Sequence, residues 1–431
     1  MRMLRCVGRW RYLMLVAGLF PPVVMAADAE ELEARFEAGM QALEENRLQS
    51  ARAAFQAILE ADSSLHRARL ELALTYHRLL NYQEAEALAR EVLEDPATPP
   101  QVRLSITAFL AQVEADRERL SRRHAWRASL AFGGMHDSNV NVGPGTTLLA
   151  DTVRLRPDAT ARVDNGVVVQ SALSHTYNSG KRYEIGQQAA SLLWQSQLSH
   201  YYREYDDEDD FNLNVTTFST GPALVALGAW RAGANLTLDY IRLGGEDLAL
   251  FTTLQPHVTW QFDHSELTLD GSHALRRYDK DVDSGREGGY STAGGSVARH
   301  FLDRKLTLQG SGHYLNFEAD DDQWGFEGSE LSLALTYRGW SRGQIYVRAA
   351  QRNLDFDGVF PLFGDARDDK RDERERRLTV GFTHTFAGGL LNQWQMRGEI
   401  ERLINRSNVK LFEYDRTQIS LMFKRDFELG S

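Results

Sequence analysis

Phe326-Glu327-Gly328-Ser329-Glu330-Leu331-Ser332-Leu333-Ala334-Leu335-Thr336-Tyr337-Arg338 sets Leu331, Leu333, Leu335 and Tyr337 at every second position. Glu330, Ser332, Ala334, Thr336 and Arg338 fill the places between. Successive side chains of a strand point to opposite faces, so the segment has one apolar and one polar face. The period recurs in Leu254–Phe262, where Pro256, Val258, Trp260 and Phe262 oppose Gln255, His257, Thr259 and Gln261. It returns in Leu378–Phe386 and in Gln393–Ile400, where Trp394, Met396 and Ile400 oppose Gln395, Arg397 and Glu399. Strands of soluble sandwiches run about 5–6 residues. Many runs here reach about ten or more, the length a tilted strand needs to cross a bilayer.

Working outward, such runs fill the chain from Trp126 to Phe427. The fold class expected is α+β multidomain, with an N-terminal helical domain ahead of a 14-stranded antiparallel transmembrane β-barrel over residues 123–431. An even strand number suits bacterial single-chain barrels. Short turns are expected at Asn178–Lys181, Gly221-Pro222, Asp263-His264, Asp303-Arg304, Trp340–Arg342 and Ala387–Leu391. Longer loops are expected at 136–164, 203–210, 241–248, 278–287, 318–325, 357–374 and 405–411. Short turns belong on the periplasmic side and long loops outside. Arg348, Arg352, Arg397, Glu399 and Glu401 fall on polar faces and should line a wet lumen, because an arginine at the bilayer midplane costs about 2–4 kcal/mol. Trp260, Trp340 and Trp394 lie near short turns, where an aromatic girdle belongs.

The N-terminus reads as a secretory signal over residues 1–26: Arg2, Arg5, Arg9 and Arg11, then apolar Tyr12–Val24, then the small-residue site Val24-Met25-Ala26. The sole cysteine, Cys6, precedes the apolar core, so the mature chain lacks disulfides, thiolate metal sites and cysteine nucleophiles. Taking four signal arginines from a net charge of −11 leaves −15. Nucleic-acid binding rests on Lys and Arg neutralising phosphates, so that class is set aside. No cofactor is expected, since no Gly-rich phosphate loop, metal constellation or carboxylate pair stands out.

Residues 27–122 change to Ala, Leu, Glu and Arg at helical spacing, with a repeat of period 34: Gly39, Ala51 and Phe55 recur as Ala73, Ala85 and Ala89. The period and its small residues resemble a tetratricopeptide (TPR) repeat. A third helix is expected over Gln101 to about Arg122. The resemblance implies a concave groove lined by Phe36, Met40, Leu43, Leu70, Leu74, His77 and Arg78, with inter-helix core as the competing reading for the apolar ones. Such repeats bind extended segments of other proteins and carry no chemistry.

His136-Asp137-Ser138-Asn139-Val140-Asn141 closes the first strand. At strand spacing His136 and Ser138 share a face, the pair that nucleophilic hydrolysis uses, and the motif resembles that of outer-membrane phospholipase. There the next residue is glycine, and here it is Val140. A plain turn is another reading, since Asp, Ser and Asn bond back to nearby amides. The third rests on family. A signal, TPR-like helices and a barrel opening Trp126…Phe132-Gly133-Gly134…Asp137-Ser138-Asn139-Val140-Asn141 resemble the surface lipoprotein assembly modifiers (Slam family). That resemblance implies a periplasmic TPR domain and a barrel that moves lipoproteins or other protein cargo across the outer membrane. The last strand, with Phe423 and Phe427, looks like the signal read by barrel-insertion machinery.

The function expected is therefore translocation or display of lipoprotein or secreted-protein cargo, without enzymatic activity. The partners are that cargo, the insertion machinery, and outer-membrane lipid and lipopolysaccharide. A polysaccharide-export porin is the main rival, and a phospholipase or a general porin stands behind it. Acidic loops Asp206–Asp210 and Glu318–Asp322 read as solvated surface, with divalent-cation binding as the competing reading. The loop with Asp365, Arg367, Asp368, Asp369, Lys370, Arg371 and Asp372 reads as mobile surface. The mature chain should begin near Ala27, fractionate with the outer membrane and show heat-modifiable gel migration; recovery in the soluble periplasmic fraction would overturn the barrel.

Overall fold

The computed structural model describes residues 26–150, 153–360 and 370–430. The expected signal segment lies outside the described residues, as do Asp365, Arg367, Asp368 and Asp369. Contacts divide the chain after Leu110. That division falls inside the fifth helix, twelve residues before the expected end of the helical domain at 122.

Helices α1 (Ala26–Glu44), α2 (Leu48–Ala61), α3 (His66–Arg78) and α4 (Tyr82–Glu94) form two hairpins, and α5 (Pro100–Ser121) follows. The period of 34 is visible in the backbone: Asn46 (φ 61°) and Leu80 (φ 60°) turn the chain left-handedly at the ends of α1 and α3. Left-handed residues are the usual stop of a helix. The repeated small residues Ala51, Ala73, Ala85 and Ala89 are all fully buried, as is Phe55. A Cβ on Gly39 would stand 2.7 Å from the Phe55 ring, so glycine lets α1 lie against α2.

Fourteen strands close a single barrel in the order β1-β16-β15-β14-β13-β12-β11-β10-β9-β8-β7-β6-β5-β4. They are β1 (His124–Asp137), β4 (Asp164–Ile185), β5 (Gln188–Tyr205), β6 (Leu213–Ala226), β7 (Trp230–Leu243), β8 (Glu246–Gln261) and β9 (Ser265–Tyr278). Then come β10 (Gly288–Phe301), β11 (Leu306–Ala319), β12 (Phe326–Trp340), β13 (Gly343–Phe356), β14 (Asp372–Thr385), β15 (Gln395–Ser407) and β16 (Tyr414–Leu429). The remaining two, β2 (Leu148–Ala150) and β3 (Val153–Arg154), make a hairpin within the first long loop. Every neighbouring pair in the wall is antiparallel. The alternation read from Phe326–Arg338 is realised: Leu331 and Leu333 are 65% and 61% exposed on the outer wall. The architecture is that of outer-membrane barrels.

The strand count holds, but three connections differ from expectation. Asn178–Lys181 is not a turn. β4 continues to Ile185, and the surplus residues form a bulge where the register shifts between Asn178 and Arg182. Asn178 Oδ1 accepts the Gly180 amide (3.0 Å), so turn chemistry is present without reversing the chain. The reversal is Gly186-Gln187, with Gly186 at φ 59°. Gly221-Pro222 is also strand. The ladder to β7 skips from Thr220 to Ala223 there, which spares a proline that has no amide proton to give. Finally, the expected loop 241–248 is only Gly244-Gly245, both left-handed, the backbone a two-residue hairpin wants.

Burial holds the Glu71 carboxyl of α3 above its usual range, with Arg67 opposing. A raised carboxyl contributes stability below its unfolded pKa, and that contribution is lost as pH rises through the folded value. Glu71→Gln should therefore raise the helical melting temperature at about pH 7.5 and leave it unchanged at about pH 4. Circular dichroism at the two pH values checks this; equal shifts at both would assign the effect to packing.

Candidate functional site

The groove residues separate into different roles. Phe36 and Leu43 are 6% and 5% exposed, so they belong to the core and not to a groove. Phe36 packs on Phe55 at 5.6 Å, and the Arg67 guanidinium lies 4.1 Å over its ring. Arg78 is also structural. Its guanidinium donates to Leu43 O (2.8 Å) and Asn46 Oδ1 (2.6 Å), satisfying the open end of α1. His77 meets Tyr82 (5.5 Å) and Phe109 (5.6 Å) edge-on. Of the expected groove residues, Met40, Leu70 and Leu74 remain half-buried and keep apolar surface open.

The Asp137–Asn141 motif is a latch at the long-loop end of the barrel. Asp137 is fully buried. Its carboxylate accepts from Arg416 Nε (2.9 Å) and Arg416 Nη2, from the Tyr205 hydroxyl (2.8 Å) and from Gln418 Nε2 (2.8 Å). It also accepts the Asn139 amide (3.0 Å), which starts the turn out of β1. Three strands, β1, β5 and β16, thus converge on one carboxylate. Ser138 Oγ accepts the Thr417 amide (2.7 Å). Asn139 bonds both the amide and the carbonyl of Gly143 (2.8 Å each) and donates to Asp415 O (3.1 Å). The Val140 amide donates to Arg162 O (2.8 Å), and Asn141 Oδ1 accepts the Arg162 amide (3.0 Å). The motif fastens the first loop to the closing seam.

His136 and Ser138 do not share a hydrogen bond. His136 Nδ1 lies 2.9 Å from Asn165 Oδ1, while Ser138 Oγ is held by the Thr417 backbone.

Inside the barrel, charges are paired. Arg352 meets Glu375 (2.9 Å), and Arg377 reaches both Glu375 (3.1 Å) and Glu401 (3.7 Å). Arg397 meets Glu399, and the Tyr346 hydroxyl donates to Glu399 (2.6 Å). Arg348 lies 5.2 Å over Tyr346. The polar residues expected on inward faces therefore do line the lumen, but as a neutralised network.

Toward the long loops the lumen is not simply wet. Leu315, Leu354 and Phe356 form a buried cluster with Tyr290 and Phe326. Arg276 stacks 4.2 Å from Tyr290 and 4.7 Å from Phe317. Arg371, expected on mobile surface, is 4% exposed. It sits between Phe356 (3.5 Å) and Phe412 (3.9 Å), with Glu373 Oε1 3.2 Å from its Nε. Burial pushes its guanidinium down to about 10. The signal for this cage was faint in sequence, because its rings come from β13 and from loops far apart in the chain. Arg416, Tyr205 and Gln418 were missed for the same reason. Phe423 stacks on Phe132 at 6.2 Å, and Phe427 pairs in register with Ala128, so both lie in the seam. Among the described residues no group of His, Cys, Asp and Glu is placed to hold a metal ion, the acidic loops included.

No protein-family model and no curated protein matches the chain. Solved structures similar to it include Pseudomonas aeruginosa OprD, at 11% identity and TM-score 0.35, covering 72% of this chain and 96% of that one. Pseudomonas aeruginosa OccK3 (OpdO) matches at 11% and 0.35, covering 71% and 96%. Acinetobacter baumannii OccAB4 matches at 10% and 0.34, covering 71% and 98%. At such identities and scores the likeness is that of one barrel to another.

Asp137→Ala leaves a half-buried Arg416 without its carboxylate, and should destabilise the barrel by about 3–5 kcal/mol. Arg416→Ala should cost a similar amount, and the double variant less than the two together, because both report one interaction. Urea unfolding followed by heat-modifiable migration measures the cycle. Strictly additive losses would remove the latch from the account of seam stability.

Proposed function

We propose that this chain is an outer-membrane factor that passes or displays protein cargo, lipoproteins in the first instance. In this reading the helical unit faces the periplasm and meets the cargo, with the short-turn end of the barrel on the same side. One observation carries the proposal: a period-34 helical repeat, an architecture that binds extended protein segments, precedes a closed barrel on one chain. The Slam resemblance supports it through Asp137–Asn141, whose side chains have a clear task in locking the seam and first loop. A general diffusion pore fits less well, because Leu315, Leu354 and Phe356 fill part of the lumen near the long loops. The reading is non-enzymatic.

Deleting 27–122 should leave a barrel that still inserts, since every strand and Phe427 remain. Surface exposure of the cognate lipoprotein, measured by protease accessibility on intact cells, should fall to near background. Met40→Glu with Leu74→Glu should reproduce the loss, because both positions keep accessible apolar surface. Unchanged cargo display together with arrested polymer secretion would install the polysaccharide-export reading instead.

A further inference from the structure

The outer wall carries arginines that neither the latch nor the lumen uses. Along β14, Arg374 and Arg376 continue the exposed face of Leu378 and Val380, which are each 48% exposed. Along β15, Arg402 and Arg406 share the face of Ile400, which is 52% exposed. The register sets Arg374 opposite Arg406, Arg376 opposite Ile404, and Leu378 opposite Arg402. Four guanidinium groups thus stand on the bilayer side of two adjacent strands, all toward the long-loop end.

Two of them are neutralised within the wall. Arg402 and Arg406 both bind Asp415 (2.7 and 2.8 Å), and Arg406 also meets Glu413 (3.7 Å), two carboxylates for two cations. Arg374 and Arg376 have no carboxylate partner among the described residues. Arg376 Nε reaches only the amide oxygen of Gln351 (3.2 Å), and Gln351 in turn donates to Asn353 Oδ1 (3.2 Å). Carboxylates do stand on this wall, at Glu327, Asp355 and Asp372, but one register step farther out. They bound the basic patch on its outer side. A guanidinium facing lipid is costly at the midplane and tolerable near the interface, at about 0–1 kcal/mol. A planar fork of donors there matches the oxygens of a phosphate.

Below the arginines the wall is hollow. Gly310 and Gly312 of β11 contribute no side chain, while Leu331 and Leu333 of β12 stand out beside them. The resulting trough of about 940 Å³ runs up to Arg376 and Arg402. That is within the roughly 300–1,000 Å³ typical of ligand sites. An apolar trough in a lipid-facing wall that ends at Arg376, with Arg374 next beyond it on the same face of β14, has the polarity of an amphiphile with an anionic head.

We infer that the β11–β15 wall is a binding site for a phosphorylated, multiply acylated lipid of the outer leaflet. Its phosphates sit on Arg374 and Arg376, and an acyl chain lies in the trough over Gly310 and Gly312. The inference rests on the orientation proposed above, with long loops outward, and not on the identity of the cargo.

The test uses the purified full chain in detergent with lipid A as the probe, retention being read by native mass spectrometry. Dephosphorylated lipid A and phosphatidylethanolamine serve as comparisons, and heat-modifiable migration confirms folding. The folded parent should retain lipid A roughly tenfold better than either comparison. Arg374→Gln with Arg376→Gln should lower retention of lipid A by roughly tenfold and leave the comparisons unchanged. Gly310→Leu, whose Cβ meets Leu333 at an ordinary 3.5 Å, should lower retention by filling the trough. If the double arginine variant fails to fold, Arg376→Gln and Gly310→Leu decide the matter. Equal retention of lipid A and its dephosphorylated form, or retention untouched by these variants, would overturn the site. Failure of selective lipid A retention with cargo display still dependent on this chain would fault only this inference. Selective retention with cargo display unaffected by losing the chain would fault only the cargo reading.

Discussion

A bilayer core offers no water to an open strand edge, so each backbone amide and carbonyl there must find a partner within the protein. For this chain the requirement comes down to one seam. Thirteen of the fourteen wall contacts join strands that follow one another around the chain, but β1 and β16 must meet across nearly the whole barrel sequence. Their register runs without interruption from Trp126↔Leu429 to Asp137↔Gln418. Gly133 makes the approach possible, since a Cβ there would lie 2.0 Å from Leu421 O. The Asp137–Arg416 pair, buried and supported by Tyr205 and Gln418, then fixes the register at the long-loop end. A one-residue slip would move every outward leucine of β16 into the lumen.

The same low-polarity surroundings explain where the arginines go. Within the lumen some face a carboxylate, as Arg352 faces Glu375, and others lie on aromatic rings, as Arg276 and Arg371 do. Ring faces favour a cation that has lost its water, by about 2 kcal/mol or more when desolvation is complete. Arg371 joins that cage to the loops, through Phe412 on one side and Phe356 on the other. Outside the barrel no ring among the described residues receives Arg374 or Arg376, and their position near the bilayer interface leaves them to an anion from the leaflet.

In the helical unit the governing constraint is close approach. Small residues at intervals of 34 let paired helices cross, and Phe55 fills the space left over Gly39. Residues that looked suited to a binding surface were drawn into this packing. Phe36 and Leu43 became core, and Arg78 closed a helix end. Of the groove the repeat pattern implied, Met40, Leu70 and Leu74 keep apolar surface open to a partner.

The sequence by itself determined what depends on local period. Alternation fixed which residues face lipid and which face the lumen, because the two-residue repeat of a strand allows no other assignment. It also fixed the number of wall strands and the 34-residue helical repeat. Turn positions were less secure, since Asn178–Lys181 and Gly221-Pro222 carry turn chemistry yet lie inside long strands as a bulge and a ladder gap. Only the tertiary structure decided what depends on closure. Asp137 and Arg416 are separated by 279 positions, and no local pattern pairs them. The aromatic cage and the four outward arginines are likewise products of register between strands. Register is set by the completed ring of hydrogen bonds, and a linear pattern of residues does not contain it.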